Sequence, residues 1–531
     1  MNKMFKNTAR VLVLVFIALA FVSCQEETVT SDRVRLVLDS LEHKLSWLNY
    51  RLGSEKWTQA ITGEADSLAF YENLRDYILS DMSTFNVLNR GEKMLRDEED
   101  SRRLELVRAR FLVNIVESQG NIKKLCDSLN DFGNNFKPDF MGEPKKVSEI
   151  LDVLKNNRNR TNREMAYRVR YEIGQSMESR LERLYRLRNQ EARKTGYNNY
   201  LALLYGREEF KIVETERLLK KLDSLTANSY LTILEKIRGT LSVGETEIWD
   251  IPYYYSGVFN EFDFFFPADS QLKYVATGLA ELGFTLNKLP VYLNLETVPG
   301  ALSDIQAMVI KSPYDQRLAG KVGDGFEGNQ TLVKNIGRAL YSANIAQEKP
   351  LFNYPLDNPW SAAMENIFAL IAKDAAWLQK YVPVPAGLIE RYRAARQEWN
   401  LVNLRLSLVS LEFELEAYKN PRRDLNKVYW DIFEKYTSLP RHDDLKPWAT
   451  DLNYVNQSLA YQNLLLADMI AAQTLAYLEK NNGTVVGNYE TRSFLNQNYF
   501  RFGSRYHWRE MIQRGTGEEL NPRYLLSDLG L

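Results

Sequence analysis

At 531 residues, with 45% hydrophobic and 26% charged side chains, the chain is long enough to bury a very large core, and its composition excludes a disordered or collagen-like protein. Its 68 Lys and Arg are balanced by 69 Asp and Glu. No long-range field of either sign results, so no nucleic-acid partner is expected.

The chain opens with Lys3, Lys6 and Arg10, no acid, and an apolar run from Val11 to Val22. This is the pattern of an export signal, and the run is too short for a comfortable membrane span. Phe21-Val22-Ser23-Cys24 resembles a bacterial lipobox, in which the cysteine is acylated and becomes the mature N-terminus. No internal repeat, low-complexity segment or Pro/Gly/Ser linker divides the chain after it, so 32–531 reads as a single domain; the resemblance implies a signal peptide over 1–23, lipid attachment at Cys24 and a tether over 24–31. It also implies an anchor in the membrane of a bacterial cell envelope, the outer membrane being the expected one. Gln25-Glu26-Glu27 resembles the acidic stretch of surface-displayed Bacteroidota lipoproteins. The alternative is a cysteine that merely follows a cleaved signal or an anchor helix. Cys126 is the other cysteine of the chain. After lipidation it has no intramolecular partner, so the fold is expected to hold by packing without a disulfide.

From Ser31 onward the periodicity is helical. Val34, Leu38, Leu41, Leu45 and Leu48 recur at three and four residues behind a Ser31-Asp32 cap. Similar stripes run from Leu104 to Val116 and from Met165 to Ala192. The aromatic stretch Trp249 to Tyr255, continued by Phe264, Phe265 and Phe266, reads as core. Between Leu293 and Val322 short β-like runs such as Gln306 to Ile310 alternate with Pro299-Gly300, Ser312-Pro313 and Gly320, predicting a hairpin or strand pair. Leu404, Leu408, Leu411 and Leu415 mark a helix, Asn420-Pro421 and Leu439-Pro440 frame another near Asn426 to Tyr436, and Tyr461 to Leu478 makes one more. Trp508 to Leu531 reads as two short helices joined at Gly515-Thr516-Gly517.

The stretch 331–365 carries the functional information. Lys334-Asn335-Ile336-Gly337-Arg338 stands in the frame of an H-E-x-x-H zinc motif, where two histidines one helical turn apart share a face and the glutamate activates the metal-bound water. Here that face offers two cations and an amide. Glu365 stands where such enzymes draw a third ligand from the next helix.

Several further segments resemble, in the right order, the angiotensin-converting-enzyme-like peptidyl-dipeptidases. These are Leu187-Arg188-Asn189 with Ala192, Gly196 and Tyr197; Trp249-Asp250 with Tyr253-Tyr254; and Ser504-Arg505 with Trp508, Glu510 and Thr516-Gly517-Glu518. The resemblance runs from about residue 187 to near the end of the chain. It implies a mainly α fold: a large, two-lobed helical ellipsoid with a central channel, and a small β element near 293–322.

The departures fall on the chemistry. Lys334 and Arg338 are cationic where the ligand histidines are expected, and Asn335 cannot exchange a proton where the general base is expected. Ala369 replaces an aspartate that orients a ligand. Gln306 replaces a substrate-holding histidine, and Leu464 replaces the second of a tyrosine pair whose first member is Tyr461. Gln306, Tyr461 and Leu464 are thereby placed on the channel lining. Asp451 and Asn453 stand where a lysine and a histidine are expected. The three histidines, His43, His442 and His507, form no ligand-spaced pair, and His442-Asp443-Asp444 reads as an exposed loop after Pro440.

The expectation is therefore a catalytically inactive, lipid-anchored, peptidase-like protein, without zinc or another cofactor, whose channel binds a peptide or other ligand or serves as a scaffold. Within it, Lys334 and Arg338 either neutralise Glu365 and fill the metal's place, or point elsewhere; free cations would suit an anionic group such as a peptide carboxylate. The alternatives are a hydrolase with an unrecognised metal site and a structural component of an outer-membrane complex.

Overall fold

A computed structural model describes residues 29–207, 210–295, 304–354 and 358–531. The expected signal peptide, Cys24 and the Pro299-Gly300 turn lie outside the described residues. The fold is mainly helical, with a small sheet, as expected. Among the described residues no helix is long and apolar enough to cross a membrane.

Helix α1 (Ser31–Thr62) buries Val34, Leu38, Leu41, Leu45 and Leu48, the stripe its sequence spacing defines. Burying each such side chain is worth roughly 1.5–3 kcal/mol of transfer free energy. Its N-cap is Thr30, whose hydroxyl accepts from the Arg33 amide at 3.2 Å, and not Ser31-Asp32, which lie inside the first turn. Helix α2 (Glu98–Glu117) follows behind an Asp97 cap.

The Met165 to Ala192 stripe is two helices, α3 (Arg160–Tyr171) and α4 (Gly174–Lys194). A Cβ on Gly174, the first residue of α4, would come within 2.5 Å of the Lys446 carbonyl oxygen, so the glycine permits this approach. Helix α5 (Asp250–Asp263) takes up the aromatic stretch, with Trp249, Tyr255, Phe262 and Phe266 buried. Phe264 departs from the core reading and is 81% exposed.

A two-strand ribbon, β1 (Asp139–Phe140) against β2 (Glu143–Pro144), is local. The expected strand pair is a three-stranded sheet of β3 (Val291–Asn294), β4 (Gln306–Lys311) and β5 (Asp315–Ala319). Central β5 runs antiparallel to β4 and parallel to β3, and Leu318 opposes both Leu293 and Ala307. The sheet rests on α1: Met308, Ile310 and Ala319 cluster with Ala60. A Cβ on Gly53 would lie 2.8 Å from the Val309 oxygen, so the glycine permits this close approach.

Helix α6 (Gly325–Ala343) leads to α7 (Pro359–Lys373), which packs between α6 and α10 (Ala460–Asn482) in the most extensive helix contacts of the molecule. Long α8 (Ala386–Lys419) and α9 (Leu425–Thr437) follow the predicted spans, and α11 (Trp508–Thr516) and α12 (Arg523–Asp528) form the two-helix tail. The largest cluster of buried apolar side chains draws from Val34 to Leu529. Cys126 is a free thiol beneath this packing, and burial pushes it up to about 11.

Candidate functional site: a cleft beside Lys334

Lys334 and Arg338 lie one turn apart on α6, both half-buried. Gly337 faces α7, where a Cβ would meet Phe368 at 2.8 Å and the Glu365 Cα at 3.3 Å. The two helices touch at this glycine, and the contact sets Glu365 beside Arg338. The guanidinium Nε stands 3.2 Å from Glu365 Oε1. Asn335 takes a different direction. Its Oδ1 accepts from the Ala307 backbone amide at 2.7 Å and its Nδ2 donates to the Thr331 carbonyl at 2.9 Å, so the position expected to hold a general base straps α6 to β4. Gln306, the first residue of β4, is exposed beside that strap.

Lys334 faces a cleft of about 250 Å³, whose lining includes Gln330, Asn366, Ala369, Leu464 and Asp468. The structure thus brings three expected positions, Lys334, Ala369 and Leu464, into one cavity. Gln306 and Tyr461 do not line it. The Tyr461 hydroxyl donates to Asp451 Oδ2 at 2.5 Å and accepts from Asn453 Nδ2 at 3.3 Å. The substituted positions 451 and 453 thereby hold the tyrosine at the start of α10. A neighbouring cavity of about 420 Å³ shares Lys373, Arg396, Asn400 and Asp528 with the cleft, and the Lys373–Asp528 ion pair, 2.8 Å, stands between the two.

Asp468 governs the cleft's electrostatics. Asn366 Nδ2 donates to its Oδ1 at 2.7 Å. The protein crowded around it pushes the carboxyl above the usual carboxylate range, while the charges on Lys334 and Lys373 draw it back down. Its side chain nevertheless opens onto the solvent of the cleft, which tempers that desolvation.

This donor set does not fit zinc. Two cations face the place of the ligand histidines, and the expected carboxylate ligand is paired with one of them. The histidines do not converge either. His43 Nδ1 lies 2.7 Å from the Asp39 carbonyl, and His507 sits against Arg102 and Glu105. His442 is not in an exposed loop, as expected from Pro440. Its ring is about one-tenth exposed, packs on Trp249 at 4.9 Å and reaches Glu247 at 3.0 Å. Among the described residues no group of three or more His, Cys, Asp or Glu is arranged to hold a metal.

The remaining motifs build scaffold. Arg188, 2% exposed, donates to the Tyr418 hydroxyl, the Tyr454 and Val455 carbonyls and Glu117, while Asn189 joins the Tyr418 carbonyl to the Tyr200 amide. Asp250, fully buried, accepts from Arg160, Arg163 and the Glu247 amide. Burial alone would raise its carboxyl; the two guanidinium groups hold it below the usual range. Gln473 of α10 binds Thr516 and the Glu518 carbonyl of the C-terminal motif.

Sequence reasoning missed Gln330 and Asp468. Gln330 sits four residues before Lys334 on the same helical face, and Asp468 four after Leu464, and those spacings were the available signal.

No protein-family profile and no curated protein matches this sequence. A solved structure titled PZ peptidase A with inhibitor 2 matches in fold, with a TM-score of 0.66 over 94% of this chain and 91% of that chain, at 14% sequence identity. The fold is therefore peptidase-like. Identity this low speaks for the fold alone.

Proposed function

We propose that this chain is a peptidase-like protein that does not hydrolyse peptides and uses the cleft beside α6 to hold a ligand. The Arg338–Glu365 pair carries the reading. A catalytic zinc site needs neutral or anionic donors around an open position, and here a guanidinium occupies the expected glutamate while Lys334 adds a second positive charge. Asn335 can neither take nor return a proton, and its amide is committed to β4. The peptidase-like fold and the ordered resemblance to angiotensin-converting-enzyme-like peptidyl-dipeptidases support descent from a hydrolase whose chemistry has been replaced.

Metal analysis of the purified protein, with turnover of a mixed peptide pool in the presence and absence of a chelator, tests this. The expected result is no stoichiometric zinc and no turnover. Stoichiometric zinc with chelator-sensitive cleavage would overturn the proposal.

The lipobox-like Phe21 to Cys24 supports a lipid anchor in a bacterial envelope membrane. Cys24→Ala is expected to move the protein from the membrane to the soluble fraction, and retention in the membrane would contradict the anchor.

A further inference from the structure

We propose that the cleft is a site for a zwitterion of one or two amino-acid residues, the carboxylate held by Lys334 and Gln330 and the ammonium by Asp468. This rests on the reading above that the cleft binds a ligand, and it names the chemistry of that ligand.

The first observation is a difference among the cations of the lining. Lys373 is paired with Asp528 at 2.8 Å and Arg396 with Glu327, whereas no carboxylate among the described residues lies within ion-pairing distance of Lys334. Lys334 and Asp468 sense each other's charge across the cavity without touching. A half-buried ammonium with no carboxylate in reach and a solvent-facing carboxylate line the same cleft, and a group carrying both opposite charges meets both.

The second observation is independent of charge. Gln330 is 9% exposed, lines the same cavity, and its Nε2 has no hydrogen-bond partner. A buried amide donor left unsatisfied costs about 1–3 kcal/mol. At a spacing of four residues on α6, the Gln330 and Lys334 side chains project side by side. Gln330 Nε2 is shut off from solvent in the structure, and a turn of its amide toward the cavity would set it beside Lys334 as a second donor to one carboxylate.

Opposite them, Asn366 holds one oxygen of Asp468 at 2.7 Å, which fixes the carboxylate and leaves its second oxygen for an ammonium donor. Leu464, half exposed, and Phe326 offer apolar surface for a side chain. The volume limits the occupant. About 250 Å³ holds the space of roughly eight waters, enough for one or two residues and too little for an extended peptide. A simple anion is disfavoured, because the approach to Lys334 brings it under the field of Asp468.

The test is calorimetric titration of the full-length protein with Ala-Ala, N-acetyl-Ala-Ala and Ala-Ala amide at millimolar concentration. Ala-Ala is expected to bind, and each cap to weaken binding by about tenfold or more, since each removes a charge-assisted contact. Lys334→Met should erase the penalty of C-terminal amidation and leave that of N-acetylation, while Asp468→Asn should do the reverse. The capped ligands need no variant, so misfolding of a variant leaves the experiment decisive. Equal binding of free and capped dipeptides would overturn the assignment, as would failure of all three to bind. Longer peptides that bind without regard to their ends, and lose affinity on Lys334→Met, would overturn the zwitterion while sustaining a ligand-binding cleft. If no peptide of any length binds, both readings fall.

Discussion

Two polar regions of this molecule use the same residue types to opposite ends. Around Arg188, a buried guanidinium spends its donors on Tyr418, two backbone carbonyls and Glu117. In the cleft, Lys334, Gln330 and one oxygen of Asp468 face a cavity instead of a partner. A satisfied buried charge fixes the arrangement of helices; an unsatisfied one at a cavity wall is available to a ligand. The ordered motifs at Arg188, Asp250 and the C-terminal turn belong to the first kind. These motifs hold α2, α4, α5, α10 and α11 in place, whereas the cleft residues leave polar groups open to the cavity.

The sharpest way to break the comparison is to place metal-ligand residues on this turn of α6. Because Gly337 keeps α6 against α7 with Glu365 in reach, the triple change Lys334→His, Asn335→Glu, Arg338→His is expected to raise zinc affinity by roughly a thousandfold or more over the natural chain. Dialysis against zinc followed by metal analysis reads the change. A folded triple variant that takes up no zinc would show that the helix spacing has left ligand geometry.

The scaffold gives the next largest effect. Arg188→Ala leaves Glu117 with the Tyr200 hydroxyl but no cation, and takes their guanidinium donor from the Tyr454 and Val455 carbonyls; it is expected to cost about 3–5 kcal/mol in denaturant unfolding. A loss below ~1 kcal/mol would contradict the architectural role.

Glu414 of α8 tests the boundary between the two kinds of region. It is fully buried, and both its carboxylate oxygens accept from the Leu459 amide, at 3.0 and 3.2 Å. Leu459 takes the left-handed conformation, φ 62°, just before α10, so this carboxyl secures an unfavourable turn. Burial pushes the carboxyl up to about 7, against the pull of the Leu459 hydrogen bond and Arg188. The native state then holds its proton to higher pH than the unfolded chain does. Stability accordingly falls as pH rises from the ordinary glutamate range to about 7, and the cost is fully present above it. Glu414→Gln should flatten that slope and stabilise the protein at about pH 8 by up to ~3 kcal/mol. Unfolding midpoints for both proteins at about pH 5 and about pH 8 check this, and parallel profiles would contradict it.

Local periodicity made much of the fold legible. The Val34 to Leu48 stripe, the Leu404 to Leu415 helix and the two-helix tail follow from side chains that repeat every three or four residues and face one core. What escaped was set by contacts distant in sequence. The close approach of Lys446 to Gly174 spans the chain, β3 joins the sheet through parallel pairing with β5, and His442 packs against Trp249 and Trp430. The site divides in the same way. The loss of donors at 334, 335 and 338 is written in one helical turn, whereas Asp468, Gln330 and Asn366 meet only because α7 lies between α6 and α10.

The smaller predictions separate the two faces of α6. Gly337→Leu drives a side chain into Phe368 and the α7 backbone, and overpacking of this kind is expected to cost about 1–3 kcal/mol, read as a lowered melting temperature. Arg338→Met, one residue on, is expected to cost less than ~1 kcal/mol. Its pair with Glu365 is 41% and 21% exposed on the two sides, so water already screens the attraction and solvates the carboxylate once the guanidinium is gone. The variant should also stay free of zinc, because Lys334 and Asn335 still offer no ligand. A loss above ~2 kcal/mol on Arg338→Met would mean that the pair with Glu365 holds α6 against α7 as the Arg188 network holds its helices.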